Sequence, residues 1–189
     1  MTEGKIIPVL PDVLPPGLRL VVCGTAPGTR SARDQAYYAH PQNQFWGVMH
    51  RGGVTPHRLS PKDYPELPRY GVGLTDICKH AFGADSAMTR NDFDPGGLAQ
   101  RVAAAAPGIM VFNGKFSAKH YLRRQQVPYG LLPETIGPTR LYVAPSTSPL
   151  ARRYWDETIW MDLLRLAGFK PREQPALCQP SPACGRGFG

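Results

Sequence analysis

The sequence predicts an α/β fold, a three-layer α/β/α sandwich around a central, mainly parallel sheet of four strands. Two observations carry that expectation. Short apolar runs with strand character alternate with stretches whose apolar residues recur every three or four positions, the pattern of strands joined by crossover helices. Several of the runs also pass straight into loops of Gly, Pro, Asn and Ser, as expected where parallel strands end at a ligand-facing edge.

The elements follow in order. Residues 19–23, Arg-Leu-Val-Val-Cys, are the first expected strand, and residues 44–51 the first helix. Residues 72–75 give another strand and residues 98–105 an alanine-rich helix, which Ala106-Pro107-Gly108 stops before the strand at residues 109–112. A helix over residues 117–124 and a strand over residues 140–144 come next. Residues 155–166 close the series, with Trp155, Ile159, Leu163 and Leu166 at helical spacing. The Pro-punctuated residues 61–68 read as a surface connection. With 189 residues and no shift in composition through the middle, we expect one domain over residues 1–170. Residues 171–189, rich in Pro and Gly, are expected to be a flexible tail, and the Pro-rich residues 1–16 also read as loose.

Charge and cysteine content narrow the function. The chain carries 22 Lys and Arg against 14 Asp and Glu, a formal charge of +8, which favours polyanionic partners bound in a salt-dependent way. The excess is spread over small clusters such as Lys115 and Lys119, Arg123-Arg124 and Arg152-Arg153, without a long basic tail. Cys23, Cys78, Cys178 and Cys184 form no C-x-x-C pair, and the five histidines form no H-E-x-x-H set, so no metal and no cofactor are expected. Neither a signal peptide nor an apolar run near 18 residues is evident. The expectation is a reduced, cytoplasmic, nucleoid-associated protein, monomeric and without membrane contact.

Two loops carry the chemistry. The first strand runs into Gly24-Thr25-Ala26-Pro27-Gly28, whose backbone N–H groups can face a ligand at close range. It continues to Tyr37-Tyr38-Ala39-His40-Pro41-Gln42-Asn43-Gln44-Phe45-Trp46, which offers flat aromatic faces and, at Asn43, both a donor and an acceptor. Those parts suit a planar, polar heterocycle; equally, Asn43 can cap the helix that starts near Gln44. The second loop, Pro145-Ser146-Thr147-Ser148-Pro149-Leu150-Ala151-Arg152, also follows a strand, and loops of this kind converge beyond the carboxyl ends of an open sheet. Asn113-Gly114-Lys115 after a third strand can join them, with Asn113 touching a ligand or bracing the loop.

These segments resemble the two signature motifs of the uracil-DNA glycosylase superfamily. The resemblance is closest to its mismatch-specific uracil/thymine branch, where the first motif reads G-I-N-P-G and then F-A-H-P-x-N-x-F-W, and the second N-P-S-G-L-S-R. The run Tyr37-Tyr38-Ala39-His40-Pro41, the segment Asn91-Asp92-Phe93 and Pro145-Ser146-Thr147-Ser148-Pro149 are similar to the hypoxanthine-excising branch. The likeness extends over about residues 14–168.

The resemblance implies a monofunctional DNA glycosylase that flips a deaminated base out of DNA, uracil including that of G:U mismatches, and hydrolyses its N-glycosidic bond to start base excision repair. A preference for hypoxanthine or xanthine, or a catalytically weak protein that binds damage, are the alternatives; a nucleotide- or nucleoside-processing protein without a DNA partner is a third. By the same resemblance Tyr38 stacks on the base, and Gly24, Thr25, Ala26, Pro27, Gly28 and Asn113 line its pocket. Leu150 fills the vacated stack, while Lys115, Ser146, Thr147, Ser148 and Arg152 contact DNA. One departure matters: the family's water-activating Asn or Asp falls on Ala26, whose methyl cannot position water. Asn43 and Asp92 are the expected catalytic substitutes, Asp76 a weaker one. Thr89 and Asp92 also fit a capping box.

Overall fold

The computed structural model describes residues 7–172. Five strands, β1 (Leu20–Gly24), β2 (Val72–Asp76), β3 (Ile109–Asn113), β4 (Gly130–Ile136) and β5 (Thr139–Ala144), form one sheet in the order β2-β1-β3-β5-β4. All pairings are parallel except β4 with β5. The expected sheet of four strands therefore gains a fifth, antiparallel member at its edge. Pro133 interrupts β4 and its pairing shifts register between Leu131 and Thr135, so the segment lacks the unbroken apolar run of the others; an edge strand tolerates such a proline.

The helices are α1 (Thr29–Asp34), α2 (Phe45–Arg51), α3 (Pro95–Ala105), α4 (Lys115–Leu122) and α5 (Glu157–Leu166). Among the described residues none is long and apolar enough to cross a membrane. Alternation along the strands divides the core in two. Leu20, Val22, Leu74, Val111 and Tyr142 pack with Phe45, Val48 and Met49 of α2 and Trp160, Leu163 and Leu164 of α5. Val21, Cys23, Met110, Phe112 and Val143 pack with Leu98 and Val102 of α3 and Ala118 of α4. Helices thus cover both faces of the sheet.

The amino-terminal segment is more firmly held than its composition suggests. Leu10 is buried, Val13 forms an antiparallel bridge with Leu74, and Asp12 takes the Lys79 ammonium at 2.7 Å and Arg101 at 3.0 Å. Local prolines did not reveal these partners, which lie more than sixty residues away. The expected tail, apart from Pro171 and Arg172, lies outside the described residues, as do Cys178 and Cys184.

Candidate active site

The four parallel strands end along one edge, and Gly24 stands in register with Asp76 as Asn113 does with Ala144. Alternation puts these four residues on the face shared by α2 and α5. The loop after β1 is pinned by its neighbour: the N–H groups of Ile77, Cys78 and Gly83 donate to the carbonyls of Gly24 (3.1 Å), Thr25 (2.8 Å) and Pro27 (2.9 Å). With its carbonyls turned toward that loop, the N–H groups of Thr25, Ala26 and Gly28 donate to no acceptor among the described residues. They remain available to carbonyl oxygens of a ligand.

Tyr38 adopts a left-handed backbone (φ 53°) and stacks on Phe45, ring centroids 4.2 Å apart. A non-glycine residue in this conformation is uncommon, and such strain is concentrated at functional sites. Asn43 is buried at the start of α2, where its Oδ1 accepts from the Phe45 N–H at 3.0 Å. That is an Asx turn just ahead of the helix, whose N-cap is Gln44 rather than Asn43, and it leaves the Nδ2 donor without a protein acceptor among the described residues.

The second loop meets the first directly. The Gln44 N–H donates to the Thr147 carbonyl at 3.0 Å. Asn113 and Thr147 exchange two bonds: Asn113 Nδ2 donates to Thr147 Oγ1 and the Thr147 N–H to Asn113 Oδ1, both at 2.9 Å. Asn113 thus braces the loop, one of the two options its position left open. Trp160 of α5 donates its indole N–H to the Pro145 carbonyl at 2.9 Å and fixes the base of the loop. Gly114 (φ 120°) passes so close to Ser146 that a Cβ would lie 3.1 Å from that side chain's Cβ.

Beyond Thr147 the loop turns outward. Ser146 and Ser148 are half-buried, with Ser148 Oγ accepting from the Leu150 N–H at 3.3 Å. Leu150 is 82% exposed, next to exposed Arg152, Arg153 and Tyr154. Lys115 holds its ammonium 4.1 Å from the Tyr129 ring centre.

Under Tyr38 lies the carboxyl of Asp76, 2% exposed. Neither Asp76 Oδ2 nor the Tyr38 hydroxyl, both buried, has a hydrogen-bond partner among the described residues. Burial pushes the Asp76 carboxyl up to about 7, against the pull of Lys79. Buried groups without partners are costly, and the usual reason for keeping them is function.

The other expected residues lie apart. Asp92 is exposed, and its Oδ2 accepts from the Thr89 N–H (2.6 Å) and hydroxyl (2.7 Å), a complete capping box that holds its pKa below the ordinary value. Two acids were harder to find from sequence. Asp76 had no signal beyond its place after an apolar run. Asp85 had none: it follows Gly83, which the Pro27 bond ties to the first loop, and its carboxyl meets the Thr25 side chain with His120 nearby. Burial raises the Asp85 pKa.

Comparison with known proteins agrees with this geometry. The family described as the Uracil DNA glycosylase superfamily matches residues 11–164, which take in every strand and both loops. Among solved structures, the chain is similar to the solution NMR structure of a candidate uracil DNA glycosylase from Methanosarcina acetivorans, with 23% identity and a TM-score of 0.61. That match covers 84% of this chain and 96% of the other, and at this identity it speaks for a common fold. With four-fifths of its length matched by the family and the two motif loops joined at one sheet edge, the chain belongs to the uracil DNA glycosylase superfamily, a family of DNA glycosylases.

Proposed function

We propose that this protein excises deaminated bases from DNA, uracil among them, and leaves an abasic site. The observation that carries the proposal is the junction of the two loops through Gln44, Asn113 and Thr147, beside an aromatic ring and a polar floor. The target nucleotide turns out of the stack, at a cost of a few kcal/mol that is smallest for mismatched bases. Leu150, exposed on the outer loop, occupies the gap, and Ser146, Ser148, Lys115 and Arg152 take the flanking phosphates, while Thr147, expected among them, is buried and ties the loop to Asn113 instead.

In the pocket Tyr38 lies against the base, and the free N–H groups of Thr25, Ala26 and Gly28 meet the charge that builds on it as the glycosidic bond breaks. Water adds to the anomeric carbon, its hydrogen replacing the sugar on the base nitrogen. Asn43 orients that water with the Nδ2 group its bond to the Phe45 N–H leaves free, which compensates for Ala26. Asp92 is committed to its cap, so Asn43 is the stronger of the two expected catalytic groups.

A second reading, preference for hypoxanthine or xanthine, is favoured by Ala26 together with the Tyr37-Tyr38 pair. Incubation with duplexes carrying one uracil or one hypoxanthine, followed by chromatography of the free base, tests the proposal and ranks the two. Binding of both duplexes without release of either base would instead identify a damage-binding protein.

A further inference from the structure

We propose that the carboxyl of Asp76, in its protonated form, reads the lactam edge of the flipped base, its O–H donating to the base carbonyl and its C=O accepting from the adjacent N–H. Uracil, thymine, hypoxanthine and xanthine carry that edge, as guanine does; adenine and cytosine do not, so the contact separates uracil from cytosine and hypoxanthine from adenine. The assignment rests on the glycosylase function proposed above and names the group that selects its substrates.

The geometry supports it in three ways. First, Asp76 closes β2 directly opposite Gly24, and a Cβ on Gly24 would stand 2.3 Å from Asp76 Oδ1, so the glycine provides the carboxyl's space. Second, Asp76 Oδ2 and the Tyr38 hydroxyl above it are both buried without partners, the state of a polar floor that awaits a ligand.

Third, the surrounding charges favour the neutral acid. Asp12 from the amino-terminal segment takes the Lys79 ammonium and the Arg101 guanidinium, two cations that would otherwise pair with Asp76. Arg101, on α3, reaches only the main-chain carbonyl of Asp76, at 3.1 Å. Tyr37 and Tyr38 neighbour the carboxyl from the first loop, and Cys23 of β1 lies near it on the other face of the sheet, none of them a cation. Burial and Asp12 raise the pKa, while Lys79, Tyr37 and Arg101 lower it, and the group titrates near pH 7. A neutral carboxyl matches a lactam with two bonds, whereas a carboxylate has acceptors only.

The test is single-turnover release of uracil and hypoxanthine from duplexes between pH 5.5 and 8.5, by the wild type, Asp76→Asn and Asp76→Ala. Folding and duplex binding are measured alongside. An amide makes the same two bonds without titrating, so Asp76→Asn should stay within about tenfold of the wild type at pH 6 and give a flat profile. The wild-type rate should fall about tenfold between pH 6 and pH 8, and Asp76→Ala should lose about a hundredfold. Duplexes with 3-methyluracil or 1-methylhypoxanthine, which lack the N–H, should be refused. The assignment is overturned if Asp76→Asn keeps the wild-type pH profile, if folded Asp76→Ala releases base at near-normal rate, or if the methylated bases are excised as well. Should Asp76→Ala fail to fold, the comparison of wild type with Asp76→Asn decides. Wild-type protein that releases no base from any duplex would remove the glycosylase function itself, and this assignment with it.

Discussion

At Asn43 one side chain serves structure and chemistry with different atoms, and substitution can separate them. Asn43→Asp keeps the acceptor for the Phe45 N–H but loses the Nδ2 donor, whereas Asn43→Ala loses both. Both should slow single-turnover base release by about a hundredfold, the scale of one positioned polar group in a reaction centre. Only Asn43→Ala should also destabilise the fold, by about 1 kcal/mol in urea titration, the usual net worth of one hydrogen bond. Asp92→Ala is the contrast. Losing its capping box on Thr89 should weaken only that local turn, with the release rate changed less than threefold. A hundredfold loss there would make Asp92 the catalytic residue. The hold of Asn43 on the start of α2 could be anticipated, because it is local to its motif. The unpartnered state of Asp76 could not, since it depends on Asp12, Lys79 and Arg101, drawn from three parts of the chain.

Among the elements, α5 reaches the site through Trp160. Its indole N–H holds the Pro145 carbonyl, and the Asn113 to Thr147 bonds then set the position of the outer loop. Trp160→Phe keeps most of the buried ring but leaves that carbonyl unpaired, at a cost of about 1–3 kcal/mol. It should also reduce base release, while Leu163→Val, deeper in the same helix, should cost stability alone; denaturation and single-turnover assays on both variants check this. Four of the five strands were legible, because a strand buried on both faces needs an uninterrupted apolar run. Edge strand β4, broken by Pro133, carries no such run. The short helix α1, Thr-Arg-Ser-Ala-Arg-Asp, has almost no apolar face to detect. Both loops stood out in the sequence, yet their bonded contact follows only from the order of β1, β3 and β5 in the sheet.

The whole molecule adds two terms, pH and charge. Raising the Asp76 pKa from its ordinary 3.8 to about 7 means that the folded protein binds more protons than the unfolded chain between those values. Stability therefore falls as pH rises from about 4 to about 7, by ~4 kcal/mol as an order of magnitude. Asp76→Asn should flatten that part of the profile, read as the difference between wild-type and variant denaturation midpoints. The formal charge of +8 predicts that duplex binding weakens steeply with salt. Replacing Lys115 or Arg152 by Gln should lower the slope of log affinity against log salt by about one each. A slope near zero would argue for a nucleoside substrate in place of DNA.

The most direct measurement is single-turnover cleavage, revealed by alkali at abasic sites, of duplexes bearing uracil, hypoxanthine, xanthine or thymine opposite each of the four bases. Rapid strand scission at one or more of the deaminated bases, with undamaged duplexes intact, is the predicted result. Intact strands throughout, under conditions where the same duplexes are bound, would contradict it and mark Ala26 as the site of a lost activity.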